Sequence, residues 1–169
     1  MASPPERSSG TNEPVPVPDV VPVERMAGDD DEDTKLLREM LRDARDYVRS
    51  FSWCESVLDS YFGGGVGGIL AIFLFKISSP RPDVGEWMWI VVGDIPRAYL
   101  PLQDCSSARE VFDTYIAGMK RWVALAREGR AASPSDRVPP VNVPPTREWA
   151  EDLDRRLRLL TELLQPFFG

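Results

Sequence analysis

The sequence predicts an α+β fold, a small antiparallel sheet of two to three strands packed with three to four helices. Three observations carry that expectation. Two short apolar runs, 69–77 and 87–92, are bounded by turn residues. Apolar residues at three- and four-residue spacing mark helices on either side of them in the chain. The first 33 residues show neither pattern and read as a disordered arm ahead of a single domain, 34–169.

The arm is set apart by composition. It holds six prolines, and Pro14, Pro16 and Pro18 alternate with valine, a spacing that removes backbone donors and favours extended chain. It also holds nine acidic and two basic residues, so the whole formal charge of −7 belongs to it. Residues 34–169 are balanced, with 18 of each sign. A duplex-binding protein needs a basic face that displaces counterions, and a neutral domain behind an anionic arm does not supply one. Nucleic acid is therefore not expected as a partner. The arm reads first as a solvated tail, with docking on a basic partner as the sharper alternative.

From Thr34 the pattern becomes helical. Leu37, Leu41, Ala44 and Val48 form one stripe with Met40 and Tyr47 beside it, and Asp31, Glu32 and Asp33 stand at the positive end of the helix dipole. Ser52 and Glu55 have the spacing of a capping box. Residues 34–62 are thus expected to be one kinked helix or two helices meeting near Ser50. The glycines from Gly63 to Gly68 follow a helix and precede a strand, the reverse of a phosphate-binding loop, and read as turn glycines.

Ile69 to Ile77 is rich in β-branched and aromatic residues and apolar on both faces until Lys76, the mark of a strand covered on both sides or paired with another copy. Trp87 to Val92 reads the same way. Ala98-Tyr99-Leu100 is expected as a short edge strand stopped by Pro101. Since two strands alone are marginal in water, a third strand or a second subunit is expected, and a homodimer through a sheet edge or helix face is one way to supply it.

Ser107 and Glu110 form another capping box. The helix behind it carries Val111, Phe112, Tyr115, Ile116, Met119, Trp122, Val123 and Ala126 on one face and closes at Gly129. Residues 129–145 contain five prolines and read as a connector within the domain. The last helix begins at Thr146, with Trp149, Leu153, Leu157, Leu160 and Leu164 as its apolar stripe, widened by Leu159 and Leu163.

The chemistry is sparse. The chain has no histidine and two cysteines, Cys54 and Cys105, with no C-x-x-C, so neither a zinc site nor any cofactor is expected. Its longest apolar run is far shorter than the ~20 residues that cross a bilayer. The expectation is a cytoplasmic chain with reduced thiols and no membrane partner. Cys54 near a helix N-terminus would have a lowered pKa, but its apolar neighbours favour a buried thiol. Cys105 is expected to be half exposed, and the five tryptophans too dispersed for an aromatic cage.

The candidate interaction or ligand site is Arg81, Asp83, Asp94, Arg97 and Tyr99. Asp94 follows an apolar strand at a turn, with Arg97 and Tyr99 close in sequence. A hairpin between the two strands is expected to bring Arg81 and Asp83 to the same side. The plainer reading of Asp94 is a carboxylate accepting from the amides of its own turn, Ile95 to Arg97.

Phe51-Ser52-Trp53-Cys54, Gly67-Gly68-Ile69, and Trp89-Ile90-Val91-Val92-Gly93-Asp94-Ile95-Pro96-Arg97-Ala98-Tyr99-Leu100 are followed in order by Ala108-Arg109-Glu110 and Trp122-Val123. This stretch, residues 47–127, resembles a family of small bacterial proteins without assigned activity. The resemblance implies fold and bacterial origin and carries over no functional residue. On these grounds the expected function is a non-enzymatic protein–protein interaction module of the immunity, adaptor or accessory type. The alternative is a histidine-free enzyme or small-molecule binder using Asp94, Arg97 and Tyr99.

Overall fold

The computed structural model describes residues 15–133, 136, 138, 141 and 143–168. Among these residues the sheet has five strands in sequential order: β1 (Val21–Pro22), β2 (Ser56–Val66), β3 (Leu70–Ser78), β4 (Trp87–Gly93) and β5 (Ala98–Pro101). Every neighbouring pair is antiparallel. The α+β class and the antiparallel pairing are as expected, but the sheet is larger than the two to three strands predicted. The additional strands are β1 and β2.

The α-helices among the described residues are α1 (Asp31–Arg49), α2 (Ala108–Arg127) and α3 (Arg147–Leu164). Strand alternation sends successive side chains of β3 and β4 to opposite faces. Ala71, Phe73, Phe75, Ile77, Met88, Ile90 and Val92 pack against Leu37, Met40, Leu41, Ala44 and Val48 of α1. Leu70, Ile72, Leu74, Trp89 and Val91 pack on the other side against α2 and α3. This is why both runs lack a polar face: helices cover the sheet on both sides.

Between the arm and β2 there is one helix, not two. Asp30 is the N-cap of α1 and its side chain accepts from the Asp33 N–H at 2.8 Å. Ser50 ends the helix, and the expected second helix is instead strand β2, so the Ser52/Glu55 spacing caps nothing. Glu55 N–H donates to the Ser78 carbonyl at 2.8 Å, which commits this backbone to the sheet. A local cap pattern yields here to pairing with β3, whose buried backbone edge needs hydrogen-bonded neighbours.

The glycine run is only partly a turn. Gly63, Gly64 and Gly65 lie within β2, and the β2–β3 connection passes through Gly67 and Gly68. Two register irregularities, at Val57/Asp59 and Phe62/Gly64, bend the strand. At Gly65, with φ +148°, a Cβ would lie 2.3 Å from the Leu70 carbonyl oxygen, so no side chain fits there.

Residues 15–33, expected as disordered arm, are structured. Val21 and Pro22 pair with Phe62 and Tyr61. A 3-10 turn comes next over Val23–Arg25, and Val17, Val23 and Met26 are buried. Valines of the arm therefore act as hydrophobic anchors on the sheet. Residues 1–14 of the arm lie outside the described residues.

Helix α2 follows the expected pattern throughout, with all eight residues of its stripe buried. Ser107 accepts from the Glu110 N–H at 3.1 Å, while the Glu110 carboxylate reaches back to Ser106, one residue beyond the ideal box. Gly129 ends the helix at φ +70°. In α3 the buried face is Ala150, Leu153, Leu157, Leu160 and Leu164. Trp149, Leu159 and Leu163, expected on that face, are exposed. Ala150, the next residue, takes the fully buried position instead.

Candidate interaction groove at the β4–β5 turn

The turn from Gly93 to Arg97 leaves the sheet between α1 on one face and α3 on the other. Gly93 has φ +152°, and a Cβ there would lie 2.2 Å from the Ile69 carbonyl oxygen. That oxygen accepts from the Asp94 N–H at 2.9 Å, which clamps the turn against the β2–β3 connection. On the other side, the buried Tyr115 hydroxyl donates to the Pro96 carbonyl at 2.7 Å. Burial, with Tyr47 adding to it, pushes the Tyr115 pKa far up, so this donor stays protonated.

Around this clamped turn lies an open groove with a volume of about 670 Å³. Helix α1 contributes Asp43 and Tyr47, and Phe51 stands just beyond it. Trp122 comes from α2, and Trp149, Asp152, Leu153 and Arg156 from α3, while Val141 and Val143 of the connector close one side.

Alternation along β5 sorts its side chains. Ala98 and Leu100 face the core shared with α2, whereas Arg97 and Tyr99 face α1. Arg97 forks onto Asp43, Nε to Oδ2 at 3.2 Å and Nη2 to Oδ1 at 2.9 Å. Its guanidinium carbon also sits 5.8 Å from the centre of the Tyr47 ring. Tyr99 packs 5.0 Å from both Phe51 and Trp53, ring centre to ring centre, and these two stack on each other at 5.1 Å. Burial, with Tyr99 adding to it, raises the Tyr47 pKa to about 12 against a smaller lowering by Arg97. Tyr47 is therefore a neutral phenol at physiological pH.

On the opposite wall, Arg156 Nη1 donates to both the carbonyl and Oδ1 of Asp94, at 3.2 and 3.1 Å, and its Nε pairs with Asp152 at 3.2 Å. The Asp94 carboxylate thus holds a residue 62 positions away where a tie within its own turn was expected. Each of these pairs is partly exposed, so their worth is orientation more than stability.

Asp94, Arg97 and Tyr99 are thus gathered at one end of the sheet, the first two lining the groove and Tyr99 backing it. Arg81 and Asp83 are not with them. They form an exposed ion pair of 2.6 Å on the β3–β4 loop, beyond Lys76 and Trp87, whereas Asp94 lies past the other end of β4, where Leu70 faces Gly93. A seven-residue strand puts about 20 Å between the two. A hairpin keeps its turn and its open end apart, so the expected convergence fails.

The sequence pattern did not single out Asp43, Phe51, Asp152 or Arg156 as site residues, and placed Tyr47, Trp122 and Trp149 on helix stripes. Of the five tryptophans, Trp122 and Trp149 line the same groove. One available signal was Trp149 with Asp152 and Arg156 at three- and four-residue spacing, a second stripe beside the buried one on α3.

The thiols lie elsewhere and are buried. Cys54 precedes a strand instead of a second helix, and its burial raises its pKa. Cys105 is almost fully buried, not half exposed, and is likewise raised. Among the described residues no group of three or more His, Cys, Asp and Glu is placed to hold a metal ion, and no helix is long and apolar enough to cross a membrane.

Comparison of the chain with protein-family models, with curated proteins and with solved structures finds no match.

Proposed function

We propose that the chain is a non-enzymatic protein–protein interaction module of bacterial type, in the class of immunity, adaptor or accessory proteins, and that it binds its partner through the β4–β5 groove and the adjoining face of α3. The observation that carries this reading is the exposure of Trp149, Leu159 and Leu163 on α3, the tryptophan lining the groove and the leucines lying beyond it. Large apolar side chains at an exposed site, rimmed by paired charges, are the composition of an interaction surface. The ionisable groups of the groove support it too: Asp43, Asp94, Asp152, Arg97 and Arg156 are engaged with one another, an arrangement suited to recognition more than to proton transfer.

Site-specific photocrosslinking in native lysate tests the reading. A photoreactive side chain at position 149 should trap a defined partner, and one at position 81, on the far end of the sheet, should not. Equal trapping from both positions, or none from 149, removes the proposal.

A second reading is favoured by the groove's volume, which falls in the range of small-molecule sites, about 300–1,000 Å³. It takes Asp94 and Arg97 as the ligand-contacting residues, with Tyr99 behind them. Thermal shift against a broad metabolite panel checks it, the expected result being a ligand whose stabilisation disappears in Asp94→Asn.

A further inference from the structure

Granted that the groove binds a protein, its walls also specify the partner's chemistry, an identification that rests on the interaction reading. They carry three carboxylates, Asp43, Asp94 and Asp152, against two guanidinium groups, Arg97 and Arg156. A carboxylate only accepts hydrogen bonds, at about four lone-pair sites, and a guanidinium only donates, through five N–H groups. The charged side chains of the lining are net negative, three acids against two bases, and Arg155 outside the lining also pairs with Asp152 at 3.5 Å.

Both guanidiniums are already committed. Arg97 is forked on Asp43, and Arg156 bridges Asp94 and Asp152. An incoming anion would have to displace a carboxylate from one of them. An incoming cation would meet open lone pairs, most of all on Asp94, whose side chain is 74% exposed.

The apolar part of the lining suits the same occupant. Trp149 is 46% exposed beside these carboxylates, and aromatic ring faces attract ammonium and guanidinium groups while their area receives an alkyl stem. The groove already contains one such pairing of its own, Arg97 against Tyr47. A side chain with an apolar stem and a cationic head matches both features at once.

We infer that the groove receives an arginine or lysine side chain from a segment of the partner protein, its cationic head on Asp94 and its stem along Trp149. Residues 34–169 are balanced, so long-range attraction of basic proteins belongs to the arm and the groove acts by contact, which the Asp94→Asn comparison isolates.

An array of peptides with randomised flanks, probed with the full chain, tests this. The fixed central residue is arginine, lysine, citrulline or glutamate. Arginine and lysine rows should retain the protein at least about fivefold better than citrulline and glutamate rows, as expected for a partly exposed charge-assisted contact. Asp94→Asn should erase that preference with an unchanged unfolding midpoint, since its side chain is mostly exposed. Equal retention on citrulline overturns the inference, as does an Asp94→Asn variant that keeps the preference.

Free arginine amide and spermidine serve as competitors. Displacement only at far higher concentration than peptide supports a protein segment, and equal potency overturns it in favour of a small organic cation. The underlying reading fails separately. Crosslinks from position 149 to a segment lacking arginine and lysine would defeat this inference alone, whereas an absence of crosslinks would remove the interaction reading.

Discussion

The carboxylate of Asp33, in the first turn of α1, accepts a hydrogen bond from the backbone N–H of Gly67, 34 residues later, at 2.5 Å. Its other oxygen accepts from the Asp29 N–H at 2.9 Å. A single side chain thus ties the start of α1 to the β2–β3 connection and to the segment leading from β1. The acidic run is structural at this residue, where its neighbours Asp31 and Glu32 are exposed.

Asp33→Ala should lower stability by about 1–2 kcal/mol, the loss of a charge-assisted bond and of part of the helix N-terminus. Chemical denaturation measures it. Protection of the Gly67 amide from hydrogen exchange should fall in parallel, and an unchanged Gly67 rate would show that the bond holds nothing.

Gly93→Ala should be more damaging, by more than about 2 kcal/mol, because the position has φ +152° and no room beside the Ile69 carbonyl. The groove turn depends on this residue, so the same variant should alter the environment of Trp149, readable by fluorescence. Wild-type stability would contradict the geometry.

Tyr115→Phe removes the donor to the Pro96 carbonyl and leaves a part-buried acceptor unpaired, for an expected loss of about 1–3 kcal/mol. The shape of the side chain is kept, so the effect reports the hydrogen bond itself. Equilibrium unfolding of the two proteins decides it.

Glu110 carries a pH dependence with a definite sign. Hydrogen bonds from the Ser106 hydroxyl and N–H hold its pKa below the ordinary 4.5. Its contribution is therefore present above pH 4.5 and is lost as pH falls through the lowered folded value. The stability difference between wild type and Glu110→Gln should be seen at neutral pH and fade in acid. A difference that grows on acidification would reverse the assignment.

Both thiols should resist alkylation by iodoacetamide at neutral pH until the protein unfolds, because burial raises their pKa above the ordinary 9.0 and restricts access. Mass spectrometry of the native and denatured protein gives the count of modified sites. Rapid native labelling of Cys54 would mean that the α1 face opens.

Much of the architecture was legible from residue order. The runs 69–77 and 87–92 announced central strands because each lacks a polar face, and α2 announced itself from its cap at Ser107 to its stop at Gly129. These are local signals: periodicity, caps and breakers act within a few residues of one another. The two missed strands share one cause. Residues 56–66 follow the cap-like pattern of Ser52 and Glu55 and include glycines, which point elsewhere than strand, yet the free edge of β3 captures them. Val21 and Pro22 join the sheet for the same reason, on the edge of β2.

The site was half legible. Asp94, Arg97 and Tyr99 stand together because a turn joins them, and alternation along one strand turns Arg97 and Tyr99 the same way. Asp43 meets Arg97 across 54 residues of chain, and Arg156 meets Asp94 across 62, through helices laid on opposite faces of the sheet. Local chemistry decides which segments become helix or strand; only the packing of those segments decides which side chains meet. Helices, central strands and charge distribution were thus written in the order of residues. The groove came into being only when α1 and α3 closed over opposite faces of the same sheet, burying apolar area that no one segment could bury alone.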